Sequence, residues 1–120
     1  LQILGRALQN MKVITEHKTA YITLTQDELN SFGYVKGDTE GIVNYGLSIK
    51  GIVFAAIFIE NKEEKIIKIS FRSQGDFDVN QFARDYFNGG GHRNAAGGKS
   101  EVSMEETIRK FEDLVTKLSI

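Results

Sequence analysis

The run Ile52–Ile59 holds eight apolar residues without interruption. A strand with one wet face alternates apolar and polar residues, whereas an unbroken run bounded by polar turns fits a strand covered on both faces. The charged turn Asn61–Lys65 follows, and then Ile66–Ser73 does alternate. In this second strand Ile67, Ile69 and Phe71 share one face, and Lys68, Ser70 and Arg72 share the other. The chain therefore needs apolar layers on two sides of a sheet. With 120 residues, 41% of them apolar, one domain can build a core of that kind.

The remaining segments supply the layers. Leu1, Leu4, Leu8 and Met11 fall at helical spacing, so residues 1–10 read as the end of a helix. Lys12–Glu16 and Thr19–Leu24 are rich in β-branched residues and flank His17-Lys18 as a hairpin. Thr25 to Glu28 fits a capping box, with Gly33 ending the short helix. Asp38, Thr39 and Glu40 are placed to cap a turn of helix through Ile42, Val43 and Tyr45. Asp78 reads as the cap of a helix that buries Val79, Phe82, Ala83 and Tyr86. Ser103 to Glu106 is a second capping box, opening a closing helix with Met104, Ile108, Phe111, Val115 and Leu118 inward. The expected fold is α/β (α+β): a small mixed, partly antiparallel sheet flanked by helices, in one domain.

Candidate chemistry concentrates in Gly89-Gly90-Gly91-His92-Arg93-Asn94-Ala95-Ala96-Gly97-Gly98. Glycines let backbone amides approach a ligand closely, and an imidazole, a guanidinium and a carboxamide follow at once. This is read as a loop forming a phosphate cradle, against the plainer reading of a flexible segment after a helix with a glycine C-cap. Arg72 ends a strand on the face opposite the apolar residues, and its planar fork of donors suits phosphate. Ser73 adjoins it, but no base stands near to make it a nucleophile. Thr39, Glu40 and Asn44 are softer candidates for a nucleotide pocket.

Other classes are disfavoured. The net charge of −1 offers no basic excess for gripping a long duplex. Cysteine is absent, which removes thiol and disulfide chemistry and is compatible with the cytoplasm. No apolar run is long enough to span a bilayer, so no membrane partner is expected. The carboxylates lack the clustered spacing of a metal site, and only two histidines are present, so no metal ligand is assigned to this chain. The chain starts at Leu1 inside a helical pattern and is expected to be a piece of a larger protein.

The glycine-His run followed by Ala95-Ala96-Gly97 resembles the C-terminal, DHH-associated domain of the DHH phosphoesterases. Asp38 to Asn44 and Lys68 to Ser73 agree with its nanoRNase and pAp-phosphatase branch, and the likeness extends from about residue 12 to the end. The resemblance implies a substrate-binding domain that works with its own N-terminal DHH domain. That other domain would carry manganese, or magnesium, and perform the metal-assisted hydrolysis. No Asp-His-His motif occurs here, so this chain alone is expected to be inactive. Carried over by position, Gly89, Gly90, Gly91 and His92 cradle a phosphate and Arg72 pairs with it. Ser73, Arg93 and Asn94, with Thr39, Glu40 and Asn44, stand close by. The implied substrate is a short single-stranded oligonucleotide or a nucleotide phosphate such as 3'-phosphoadenosine 5'-phosphate. A cyclic dinucleotide, a poly- or pyrophosphate, and a non-catalytic nucleic-acid-binding role stay open. The amphipathic terminal helices permit a homodimer.

Overall fold

The structure, a computed structural model, describes residues 2–33 and 41–120. Helix α1 (Gln2–Asn10) leads into strand β1 (Lys12–Ile14), a 3-10 turn at Thr15–His17, and β2 (Thr19–Leu24). The hairpin expected here forms, with its first strand ending two residues early. Thr25 caps α2 (Gln26–Ser31) with both halves of the capping box in place, and Gly33 follows with φ 61°. Helix α3 is only Asn44–Leu47, so Ile42 and Val43 precede it rather than form it. Strands β3 (Phe54–Asn61) and β4 (Ile66–Ser73) come next, then α4 (Val79–Tyr86), β5 (Gly90–His92), β6 (Ala95–Ser100) and α5 (Met104–Val115).

The six strands form one sheet in the order β1-β2-β3-β4-β6-β5. Only β2 and β3 run parallel; the other neighbours are antiparallel. A parallel pair needs a long crossover, and α2 and α3 lie within it. Strand β3 is buried on both faces as its apolar run requires. Phe54, Ala56 and Phe58 join one core, and Ala55 and Ile57 join the other.

The first core lies between the sheet and the helices α4 and α5. Phe111 of α5 sits at its centre, with ring centroids 5.6, 5.0 and 5.5 Å from Phe54, Phe58 and Tyr21. Tyr21 donates its hydroxyl to Glu112 on α5. Asp78 caps α4 by accepting from the Gln81 amide, and Ser103 caps α5 by accepting from Glu106. Tyr86 departs from expectation: it is 40% exposed at the end of α4 rather than part of the buried stripe.

The second core lies on the opposite face. Ile3 and Ala7 of α1 and Leu29 of α2 cover Ile22, Leu24, Ala55 and Ile57. Gly46 brings α3 against the sheet, where a Cβ would stand 3.0 Å from the Ala55 methyl and 3.4 Å from that of Ala20. These helices cover β2 and β3. Among the described residues, α3 also approaches β4, but the core these helices build takes no residue from β4, β6 or β5.

The glycine run differs most from expectation. Gly90–His92 is a strand, not a loop, and it forms a hairpin with β6 across Arg93-Asn94. The left-handed residue that ends α4 is Asn88, φ 52°, and not a glycine.

Candidate functional site

The register decides which sequence candidates meet. Arg72 of β4 is the partner of Ala95 in β6, and Ala95 is the partner of His92 in β5. Paired residues point to the same side of a sheet, so Arg72 and His92 share a face with only the Ala95 methyl between them. Two strand spacings separate their backbones by roughly 10 Å, a span that two long side chains aimed at one small anion can close. This row lies on the outer half of that face, beside α3, which approaches β4. Arg72 is half-buried and His92 is exposed.

The electrostatics of the row are one-sided. Arg72 uses one donor on the Phe71 carbonyl, 2.9 Å away, and keeps the rest of its fork. Among the described residues, no carboxylate lies within salt-bridge distance of Arg72. A fixed cation on a half-open shelf, beside an imidazole and above a floor of Ala95 and Gly97, is suited to a phosphate or carboxylate ligand.

Other candidates hold the shelf together rather than face it. Ser73 is 7% exposed, and its hydroxyl donates to the Phe77 carbonyl at 2.7 Å. The Asn94 carboxamide donates to that hydroxyl at 2.8 Å and to the Gly75 carbonyl at 3.2 Å. Arg93 donates to the Asp76 carbonyl at 3.0 Å, and its own carbonyl accepts from the Val79 amide. Ser73, Arg93 and Asn94 therefore tie the β5–β6 turn to the loop between β4 and α4. They fix the height of His92 relative to Arg72.

The glycines serve the hairpin in the same way. The Gly89 amide donates to the Ala83 carbonyl, and the Gly91 amide donates to Asn80 Oδ1 at 2.8 Å. A Cβ at Gly89 would stand 1.9 Å from the Gly97 carbonyl oxygen, and one at Gly91 would stand 2.7 Å from that of Ala95. Gly89 and Gly91 are bare because β6 approaches them so closely, and the amides of both are already bonded within the protein. Asn80 had no signal in the sequence, being one polar residue on the wet side of a helix. Asn44 is exposed at the start of α3, which packs over Ala55, the other strand partner of Arg72. Thr39 and Glu40 lie outside the described residues.

One cleft opens between α5 and the β1–β2 edge, beside Lys12, Tyr21 and Arg109, and a groove runs between α4 and the C-terminal residues. Neither includes Arg72 or His92. Among the described residues, no three His, Asp or Glu side chains come together to hold a metal ion.

Known proteins share this fold. An exopolyphosphatase-related protein from Bacteroides fragilis superposes with a TM-score of 0.92 at 46% identity, over 97% of this chain and 34% of that one. A pGpG-specific phosphodiesterase from Vibrio cholerae superposes at 0.67 with 16% identity, over 97% of this chain and 37% of that one. An uncharacterized protein from Helicobacter pylori reaches 0.53 at 20% identity, over 96% and 30% of the two chains. The last two show the fold alone. This chain thus spans about a third of the length of each of these proteins. No curated protein matches it. The DHHA1 domain family matches residues 11–118, nearly the full length, and the chain belongs to that family.

Proposed function

We propose that this chain is the substrate-gripping domain of a metal-dependent phosphoesterase, of the nanoRNase and pAp-phosphatase kind. Its substrates would be short oligonucleotides or nucleotide phosphates. The observation that carries the reading is the row Arg72–Ala95–His92 on the outer half of the sheet. Arg72 supplies fixed positive charge and His92 supplies an imidazole N–H, and both bear on one phosphate. The shelf is a single wall. A partner domain facing it would complete a cleft and supply the manganese or magnesium ions, whose chemistry is to activate water for attack on phosphorus. This chain holds and orients the phosphate, which is the contribution of a positioning domain. The exopolyphosphatase-related neighbour favours a second reading, in which the chain held is inorganic polyphosphate.

Binding to this chain tests the reading. Arg72→Ala and His92→Ala should each weaken the binding of 3'-phosphoadenosine 5'-phosphate. Losing a charge-assisted contact costs about 1.5–3 kcal/mol, or roughly tenfold to a hundredfold in Kd. Melting temperatures should stay at the wild-type value. His92→Asn keeps a donor and should recover part of the loss. Wild-type affinity in both alanine variants would show the row to be ordinary surface.

A further inference from the structure

The cleft between α5 and the β1–β2 edge exists because the sheet runs out of strand there. Strand β1 pairs with β2 only from Thr19 to Tyr21. Beyond Tyr21 the edge is closed by Asn10, the last residue of α1. Its side-chain amide donates to the Thr23 carbonyl at 2.8 Å and to Glu28 at 2.9 Å. Across the gap, Glu105, Ile108, Arg109 and Glu112 recur at three- and four-residue spacing, so they form one stripe of α5 along the cleft. The space enclosed is about 370 Å³, within the range of small-molecule sites.

Its polar groups are of two kinds. Glu112 accepts the Tyr21 hydroxyl on one oxygen, and among the described residues no donor reaches its other oxygen. Burial first, and then Glu112 itself, push the Tyr21 phenol well above its ordinary pKa, so it stays a donor to that carboxylate. The oxygen of the Asn10 carboxamide is a second acceptor that no donor meets among the described residues. Lys12 supplies the opposite sign. It is the strand partner of Tyr21, which sets their Cα atoms about 5 Å apart. Among the described residues no carboxylate lies within salt-bridge distance of Lys12, although Glu112 lines the same cleft. Arg109 and Glu105 answer each other at 3.1 Å. The charges of the cleft therefore balance, and one carboxylate and one ammonium, both set about Tyr21, are left unanswered. Met104 and Ile108, half-buried against the aromatic core, add an apolar wall.

We infer that this cleft binds a free α-amino acid with an apolar side chain. Glu112 and the Asn10 oxygen take its ammonium, Lys12 takes its carboxylate, and its side chain lies on Met104 and Ile108. A simple anion, a nucleotide included, would meet Glu112 uncompensated, and a simple amine would meet Lys12. An α-amino acid carries both signs on one carbon, as two groups placed by a single tyrosine require. The cleft lies at the β1 edge, whereas the Arg72 row lies across β4, β6 and β5, so the inference does not rest on the proposed phosphate site.

Isothermal titration calorimetry of this chain with L-leucine, 4-methylpentanoate and 3-methylbutylamine tests it. The two analogues keep the leucine side chain and one of its charges each. L-Leucine should bind saturably with a Kd no weaker than about 1 mM. Each analogue should bind roughly tenfold more weakly or worse. Lys12→Gln and Glu112→Gln should each lose roughly tenfold in affinity for leucine. Lys12 is exposed, so its variant should melt with the wild type, and its loss reads the site rather than the fold. The lone amine should bind Lys12→Gln better than the wild type, because the charge that repels it is gone. No saturation by leucine at concentrations about tenfold higher would overturn the inference. So would an analogue that binds as well as leucine, or unchanged leucine affinity in either variant. Displacement of leucine by adenosine monophosphate would also overturn it and assign the cleft to nucleotides.

Discussion

Gly90 and Gly91 are adjacent in the chain but meet different surroundings. A methyl at Gly91 runs into the backbone of β6, 2.7 Å from the Ala95 oxygen and 2.8 Å from the Ala96 Cα, and that strand is fixed by β4 on its other side. A methyl at Gly90 meets instead the Asn80 and Arg84 side chains, at 3.2 and 3.4 Å, and the positive φ of 159° and 156° is a cost common to the two positions. Gly91→Ala should therefore cost about 1–3 kcal/mol, a fall in melting temperature of roughly 4–8 °C per kcal/mol for a domain near this size. Gly90→Ala should lose clearly less. Thermal denaturation followed by circular dichroism measures both, and equal falls would show that the clash with β6 is not what keeps Gly91 bare. The sequence exposed the importance of this run but not its cause. Three glycines before a histidine look like amides bared for a ligand, and the close approach of a strand from further along the chain has no local sign.

Strands β5 and β6 were illegible for a related reason. Their residues, Gly90 to His92 and Ala95 to Ser100, are mostly glycine and alanine, which strands disfavour. Only pairing with β4 makes them strands. Helix starts were legible because capping is local chemistry, as at Thr25, Asp78 and Ser103. The α2 cap also carries a pH dependence. Burial pushes the Glu28 carboxyl up, but hydrogen bonds from Asn10 and Thr25 and the nearby Arg6 charge outweigh it and hold its pKa below the ordinary glutamate value. A carboxyl depressed in the folded state adds stability above its unfolded pKa, and that stability is lost as pH falls through the folded value. Melting temperature should therefore drop between neutral pH and about pH 3 by less in Glu28→Gln than in the wild type. A drop of the same size in both would show that the link between α1 and α2 does not depend on this charge.

On one of its faces the sheet extends past the core that the helices build, and the proposed site occupies the remainder. One face is covered along its length by α4, α5 and the aromatic core around Phe111. On the other, among the described residues, the helices build their core over β2 and β3 and take no residue from β4, β6 or β5. The alternation in Ile66–Ser73 announced that outer half, because an interior strand keeps Lys68, Ser70 and Arg72 only where water or a ligand meets them. What the alternation could not show was that His92 returns to the same face, since that depends on a two-residue turn tied down by Ser73, Arg93 and Asn94. The measurement that decides whether this outer half is the binding face is a nitrogen-proton NMR titration of the chain with an adenylate dinucleotide. Shifts should concentrate in Ser70 to Arg72 and in Gly90 to Gly97, with saturation at a common affinity, while the amides of α5 and of β1 stay in place. Shifts centred on the cleft between α5 and the β1–β2 edge, with the Arg72 row unmoved, would contradict it.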